Sequence, residues 1–189
     1  LKFIRGDYGS GKTFLVARAL EIAREKNFVT AHVVISPAAP LYKLKGIYQQ
    51  VCATLRTREE EHAMKAVIDT WLFSIEERLI KVSDRPLPEE SLEIATLKEI
   101  ETALAGISEM SSSLAAALRT YYRANNAGDF QTAQSAIGWI SAEPNIGREF
   151  KAKAGIRGDV DETFALIFLR ALVRIIVHAG YAGLAIAID

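Results

Sequence analysis

Gly6-Asp7-Tyr8-Gly9-Ser10-Gly11-Lys12-Thr13 is the stretch of this chain with the clearest chemistry. It reads G-x-x-x-x-G-K-T, the spacing of a phosphate-binding loop. Gly6, Gly9 and Gly11 let the backbone turn tightly and bring its N–H groups close to phosphate oxygens. A helix opening near Gly11 would aim its positive end at the same oxygens. Lys12 can reach β- and γ-phosphates, and the Thr13 hydroxyl can ligate Mg²⁺. Asp7, Tyr8, Ser10 and Phe14 fall inside this loop or at the helix start, and we read them with it as nucleotide-contacting positions. Without its context the same stretch would describe a Gly-rich turn before an ordinary helix.

A second candidate lies at the far end of the sequence. Leu184-Ala185-Ile186-Ala187-Ile188-Asp189 is an apolar run closed by an acid. It fits a buried strand that delivers Asp189 to the carboxyl edge of a sheet, beside the phosphate loop, where the acid helps to hold Mg²⁺. Alone, such a run also describes a capping or surface acid. Lys12 and Asp189 are the expected catalytic pair, and Thr13 and Asp189 the expected metal-holding pair.

These residues need elements to hold them. Residues 1–5 read as a short strand feeding the loop. Residues 13–24 have helical spacing, with Leu15, Ala19, Ile22 and Ala23 on one face. Asn27 breaks the pattern, and residues 28–35 read as a buried strand. His32 within it reads as a satisfied core histidine rather than a ligand. Residues 41–55 and 59–82 read as amphipathic helices, followed by a break over residues 83–88. A helix opened by Pro88-Glu89-Glu90 runs to about Ile107. Ser111-Ser112-Ser113 caps the next, from 114 to about 125, and Asp129 caps one reaching about Ile140. Residues 143–158 read as a loop whose Arg148, Lys151, Lys153 and Arg157 describe either a solvated basic surface or a phosphate or nucleic-acid contact. Asp159, Asp161 and Glu162 open a last helix through His178, with Arg170 and Arg174 away from its apolar face. One crossover unit takes roughly 30 residues, far fewer than separate Lys12 from Asp189. The expected organisation is therefore a core of residues 1–40 and 159–189 carrying a helical insertion over 41–158.

The bulk numbers limit the partners. The chain has 189 residues, half of them apolar, with 23 basic and 23 acidic side chains and a formal net charge of zero. Nothing global points to nucleic acid or an anionic membrane. The single Cys52 allows no internal disulfide, fits a reducing compartment and reads as a small core residue. No apolar run reaches the roughly 18 residues that a membrane span needs. Both ends read as cut within strands, the expectation being a piece of a longer protein.

With both motifs placed, the chain resembles the P-loop ATPases of the AAA+ and additional-strand classes. More narrowly, it resembles the BrxD-like ATP-binding domain proteins of BREX, a bacterial phage-exclusion system. The narrower likeness is carried by Phe3-Ile4-Arg5 with the loop through Phe14, by Val34-Ile35-Ser36-Pro37, and by Ala127-Gly128-Asp129. It continues in Gly155-Ile156-Arg157-Gly158-Asp159, Leu169-Arg170-Ala171-Leu172 and Gly180-Tyr181-Ala182-Gly183-Leu184. The resemblance implies an α/β fold with a three-layer αβα P-loop core, and ATP with Mg²⁺. It also implies hydrolysis, a cytoplasmic bacterial setting and a role in phage defence. It places a water-activating acid directly after Asp189, and a sensor strand and arginine finger further on. Without that strand the sheet is expected to be incomplete, and this piece alone a poor ATPase. Partners implied are other defence proteins or further copies of the chain, with DNA by analogy only. The alternatives are a nucleotide-gated interaction module without turnover and a phosphotransferase with a helical lid. The absence of an N-K-x-D stretch favours ATP over GTP.

Overall fold

The computed structural model describes residues 2–37, 39–83, 87–105 and 111–189. Among them, eight helices accompany one two-stranded parallel sheet, an α/β arrangement dominated by helix. In order these are α1 (Lys12–Glu25), β1 (Phe28–Val33), α2 (Leu44–Ala53), α3 (Met64–Val82), α4 (Glu89–Leu104) and α5 (Ser111–Asn126). α6 (Phe130–Ile140), α7 (Arg148–Ala154), α8 (Glu162–His178) and β2 (Gly183–Ile188) follow.

Asn27 sets the register of the sheet. It stops α1 with a left-handed φ of 64°, a conformation in which Asn is enriched. Its Nδ2 donates to the Gly180 carbonyl at 3.0 Å, and its own carbonyl accepts the Ala182 amide at 2.9 Å. The chain entering β1 is thereby tied to the chain entering β2, and the strands pair from Phe28↔Gly183 to Val33↔Ile188. Val29, Ala31 and Val33 join the hydrophobic core. Thr30 and His32 alternate to the opposite face, towards α1, where Arg24 Nη1 donates to Thr30 Oγ1 at 3.0 Å.

The outer edge of β1 is closed without a strand. Thr30 exchanges two backbone hydrogen bonds with Arg56, at 2.9 and 2.8 Å. Two residues on, the His32 amide donates to Thr54 Oγ1 at 3.0 Å. Two further on, Val34 exchanges two bonds with the Gln50 side-chain amide, at 2.8 and 3.0 Å. The end of α2 and the residues just after it thus supply a backbone, a hydroxyl and an amide at the strand's two-residue repeat, satisfying an edge that would otherwise template pairing.

Phe168, fully buried on α8, makes edge-on ring contacts with Tyr48 of α2, Trp139 of α6 and Phe164. Tyr48 donates to the Ile140 carbonyl at 2.7 Å. The outer helices add a polar seam. Tyr121 and Tyr122 of α5 donate to Asp69 and Glu76 of α3, and Arg78 and Arg123 pair with Glu99 and Glu93 of α4. Arg174 of α8 donates to the Ala103 and Ala105 carbonyls at the end of α4, where a cation is favoured.

Several expectations change. Residues 2–5 form no strand and are exposed, and Leu1 lies outside the described residues. A strand needs a ladder, and among the described residues β1 and β2 pair only with each other and with Arg56. The described residues form no wider three-layer sheet. α1 turns the other way: Leu15 is 52% exposed and Ile22 38%, while Val16 and Leu20 face inward. Residues 143–158 contain α7. Ser111 already lies inside α5, so the expected cap is displaced, and the preceding residues 106–110 are outside the described set, as are residues 84–86 of the expected break. Asp129 caps α6 as expected, accepting the Thr132 amide; among the acids expected to open the last helix, Asp161 is its cap, accepting the Thr163 and Phe164 amides.

Candidate phosphate site

The loop ahead of α1 takes the conformation its glycines permit. Gly9 and Gly11 have φ of 78° and 80°, in the left-handed region that costs a residue with a Cβ roughly 1–2 kcal/mol. A Cβ there would meet nothing within 4 Å, so conformation and not space requires these glycines. Gly6 is the reverse case: a Cβ would sit 2.5 Å from Ser10 Oγ. The Ser10 amide donates to the Asp7 carbonyl at 3.2 Å and closes the turn.

The first helical bond of α1 runs from the Leu15 amide to the Gly11 carbonyl at 2.9 Å. Amides earlier in the helix have no intrahelical acceptor, and Gly11 has no side chain to cap them. Lys12 folds back over the turn, its Nζ donating to the Gly6 and Asp7 carbonyls at 2.8 Å each. Among the described residues no carboxylate pairs with it. The result is a ring of exposed donors, amides and one ammonium, at the positive end of a helix. The set of groups present fits a polyphosphate. Tyr8 within this loop and Phe14 just after it are both exposed.

Topology brings Asp189 to the same side of the sheet. α1 enters β1 through the Lys26-Asn27 turn, so helix and strand run in opposite senses. Fourteen residues of helix span about 21 Å, and six of strand about 20 Å. The amino end of α1, with Lys12 and Thr13, therefore lies towards the carboxyl ends of both strands, and α1 packs on both. Asp189 follows β2 directly. Its amide donates to the Val33 carbonyl at 2.9 Å, its carbonyl accepts the Ile35 amide at 2.7 Å, and its side chain is exposed.

The other residues singled out in the sequence lie elsewhere. Lys151 and Lys153 of the basic stretch are committed to Asp159 and Asp129, each at 2.6 Å, so half of its cations are neutralised. Cys52 is buried, and desolvation pushes its thiol up to about 12 despite hydrogen bonds with Tyr48 and Ser141; it is a core residue and no nucleophile. His32 is not the satisfied core histidine expected: its backbone is bonded, but its ring Nε2 is buried with no partner. Arg24 and His62 carry no signal in the sequence, yet the fold brings them to one cavity with Thr13 and His32. They sit on separate elements, and no spacing in the sequence links them.

In comparisons with known proteins, the profile of the family described as BREX system ATP-binding protein BrxC/D matches residues 1–189. No curated protein and no solved structure matches the chain significantly.

Proposed function

The chain belongs to the BREX system ATP-binding BrxC/D family, and on that premise we propose that residues Gly6 to Phe14 bind the triphosphate of ATP. The observation that carries this is the glycine-held turn with uncapped amides and the Lys12 ammonium folded over it. The amides from Gly9 to Thr13 cradle phosphate oxygens, and Lys12 exchanges two carbonyl partners for phosphate charge. Thr13 and Asp189 are the residues that would hold Mg²⁺. Among the described residues no group of three or more His, Cys, Asp or Glu forms a metal cage; Mg²⁺ is typically bound by one or two protein groups plus phosphate oxygens. When bound, that ion would neutralise charge on the transferring phosphate.

In this reading residues 1–40 and 159–189 are the nucleotide-binding core and 41–158 the helical insertion. ATP hydrolysis in a bacterial cytoplasm serves phage defence, with other defence proteins, further copies of the chain or DNA as what the cycle acts on. No helix among the described residues is long and apolar enough to cross a membrane. Titrating ATP with Mg²⁺ into the intact protein tests the site. Lys12→Ala should weaken binding at least tenfold, since hydrogen bonds to charged groups are worth about 1.5–3 kcal/mol; unchanged affinity would remove the assignment. Turnover that Asp189→Asn abolishes supports hydrolysis, whereas binding without turnover identifies a nucleotide-gated module.

A further inference from the structure

We propose that the cavity under α1 is a second ligand site, built for a small organic phosphate and separate from the phosphate loop. It has a volume of about 420 Å³, within the range of small-molecule sites. α1 forms one wall, β1 the floor, and the residues after α2 the opposite wall.

Its chemistry is one-sided. Two arginines and two histidines line it, and no aspartate or glutamate does, in a chain whose charges balance overall. Arg56 is paired with Glu61 at 2.5 Å. Arg24 is not so paired: among the described residues no carboxylate engages it, and its Nη1 meets only the neutral Thr30 hydroxyl. A half-buried guanidinium in that setting favours an anion. Two imidazoles add hydrogen-bonding atoms for the rest of the ligand. His32 Nε2 is buried without a partner, and such atoms are rare in folded proteins because each carries a desolvation cost. His62 Nδ1 lies 2.8 Å from the Ala53 carbonyl; a carbonyl only accepts, so the proton sits on Nδ1, and in the neutral ring Nε2 is left to accept from a ligand hydroxyl or amine. Val16, Ala17, Leu20 and Ala53 supply an apolar surface for the rest of the ligand. Lys12 and the turn from Gly6 to Gly11 do not line the cavity, and Thr13 alone borders both sites.

AMP is a suitable probe, titrated calorimetrically into the intact protein carrying Lys12→Ala so that the phosphate loop is weakened. The expected result is one equivalent of AMP bound more tightly than inorganic phosphate. Arg24→Gln in that background should weaken AMP about tenfold or more. Val16→Phe fills the cavity and keeps every charge, and it decides the question should Arg24→Gln fail to fold. The proposal is overturned if the Lys12→Ala protein takes up no AMP, or if inorganic phosphate binds as tightly. It is equally overturned if folded Arg24→Gln and Val16→Phe proteins bind AMP as before. Because Arg24 and Val16 line the cavity and lie outside the turn from Gly6 to Lys12, their effect on AMP separates this proposal from ATP binding at the loop.

Discussion

Asp129 ties one charge to two elements. Its Oδ1 accepts the Thr132 amide at 3.1 Å, capping α6, and its Oδ2 accepts from the Lys153 ammonium of α7 at 2.6 Å. The Lys153 bond first, and the Thr132 bonds after it, hold the carboxyl at about 2 against an ordinary 3.8. A carboxyl lowered in the folded protein contributes stability that is present above its unfolded value and lost as pH falls through the folded one. The start of α6 should therefore keep its protection above about pH 4 and lose it between about 4 and 2, read from amide exchange at Thr132. Asp129→Asn retains a capping oxygen and should abolish the pH step. A step that survives in the variant would assign it to another group. Gly11 works at the same scale through conformation alone, since open space surrounds its missing Cβ.

β1 is an edge strand whose neighbour is the end of a helix. Thr54 accepts the His32 amide at 3.0 Å, and its own proton lies within reach of the His32 and Gln50 carbonyls, at 2.9 and 2.7 Å. Thr54→Val keeps the shape and strips these partners from the middle of the strand. Leaving a buried amide unpaired costs about 1–3 kcal/mol, so the urea midpoint should fall and the His32 amide should exchange faster. If both stay unchanged, water or a shifted Gln50 replaces the hydroxyl. α1 contrasts with β1. It buries no residue fully, and its outward Phe14 and Leu15 leave it held by Val16, Leu20 and the Arg24–Thr30 bond. The helix that carries Lys12 and Thr13 is thus held to the sheet by one partly buried face.

Across the whole molecule, Phe168 joins α8 to α2 and α6, and one buried cluster runs from β1 through these helices. Phe168→Ala should cost about 3–5 kcal/mol by cavity formation. Helical dichroism and tryptophan fluorescence should then fall together in urea, since Trp71 and Trp139 lie in that cluster; separate transitions would show that helix content and core packing are lost in separate steps. Much of this was legible in one dimension. A glycine-spaced loop, acids at helix starts and an apolar period are local signals, because turn conformation, capping and amphipathicity depend on residues a few positions apart. They located the glycine-held turn ahead of α1, the cap at Asp129, the acidic start of α8 and both strands of the ladder. The strand expected over residues 1–5 was not decided by its own composition, because a strand exists only where another backbone meets its N–H and C=O groups. The inward face of α1 was likewise ambiguous, as apolar residues occur on two sides of it and only packing on β1 selects Val16 and Leu20. Distant pairings stayed invisible for the same reason: Arg24, Thr30 and His62 become neighbours only once the chain has closed β1 against β2 and laid the end of α2 along its edge. Local chemistry was written in the sequence; which groups share a cavity was settled by the fold, since proximity across elements is a property of the packed chain.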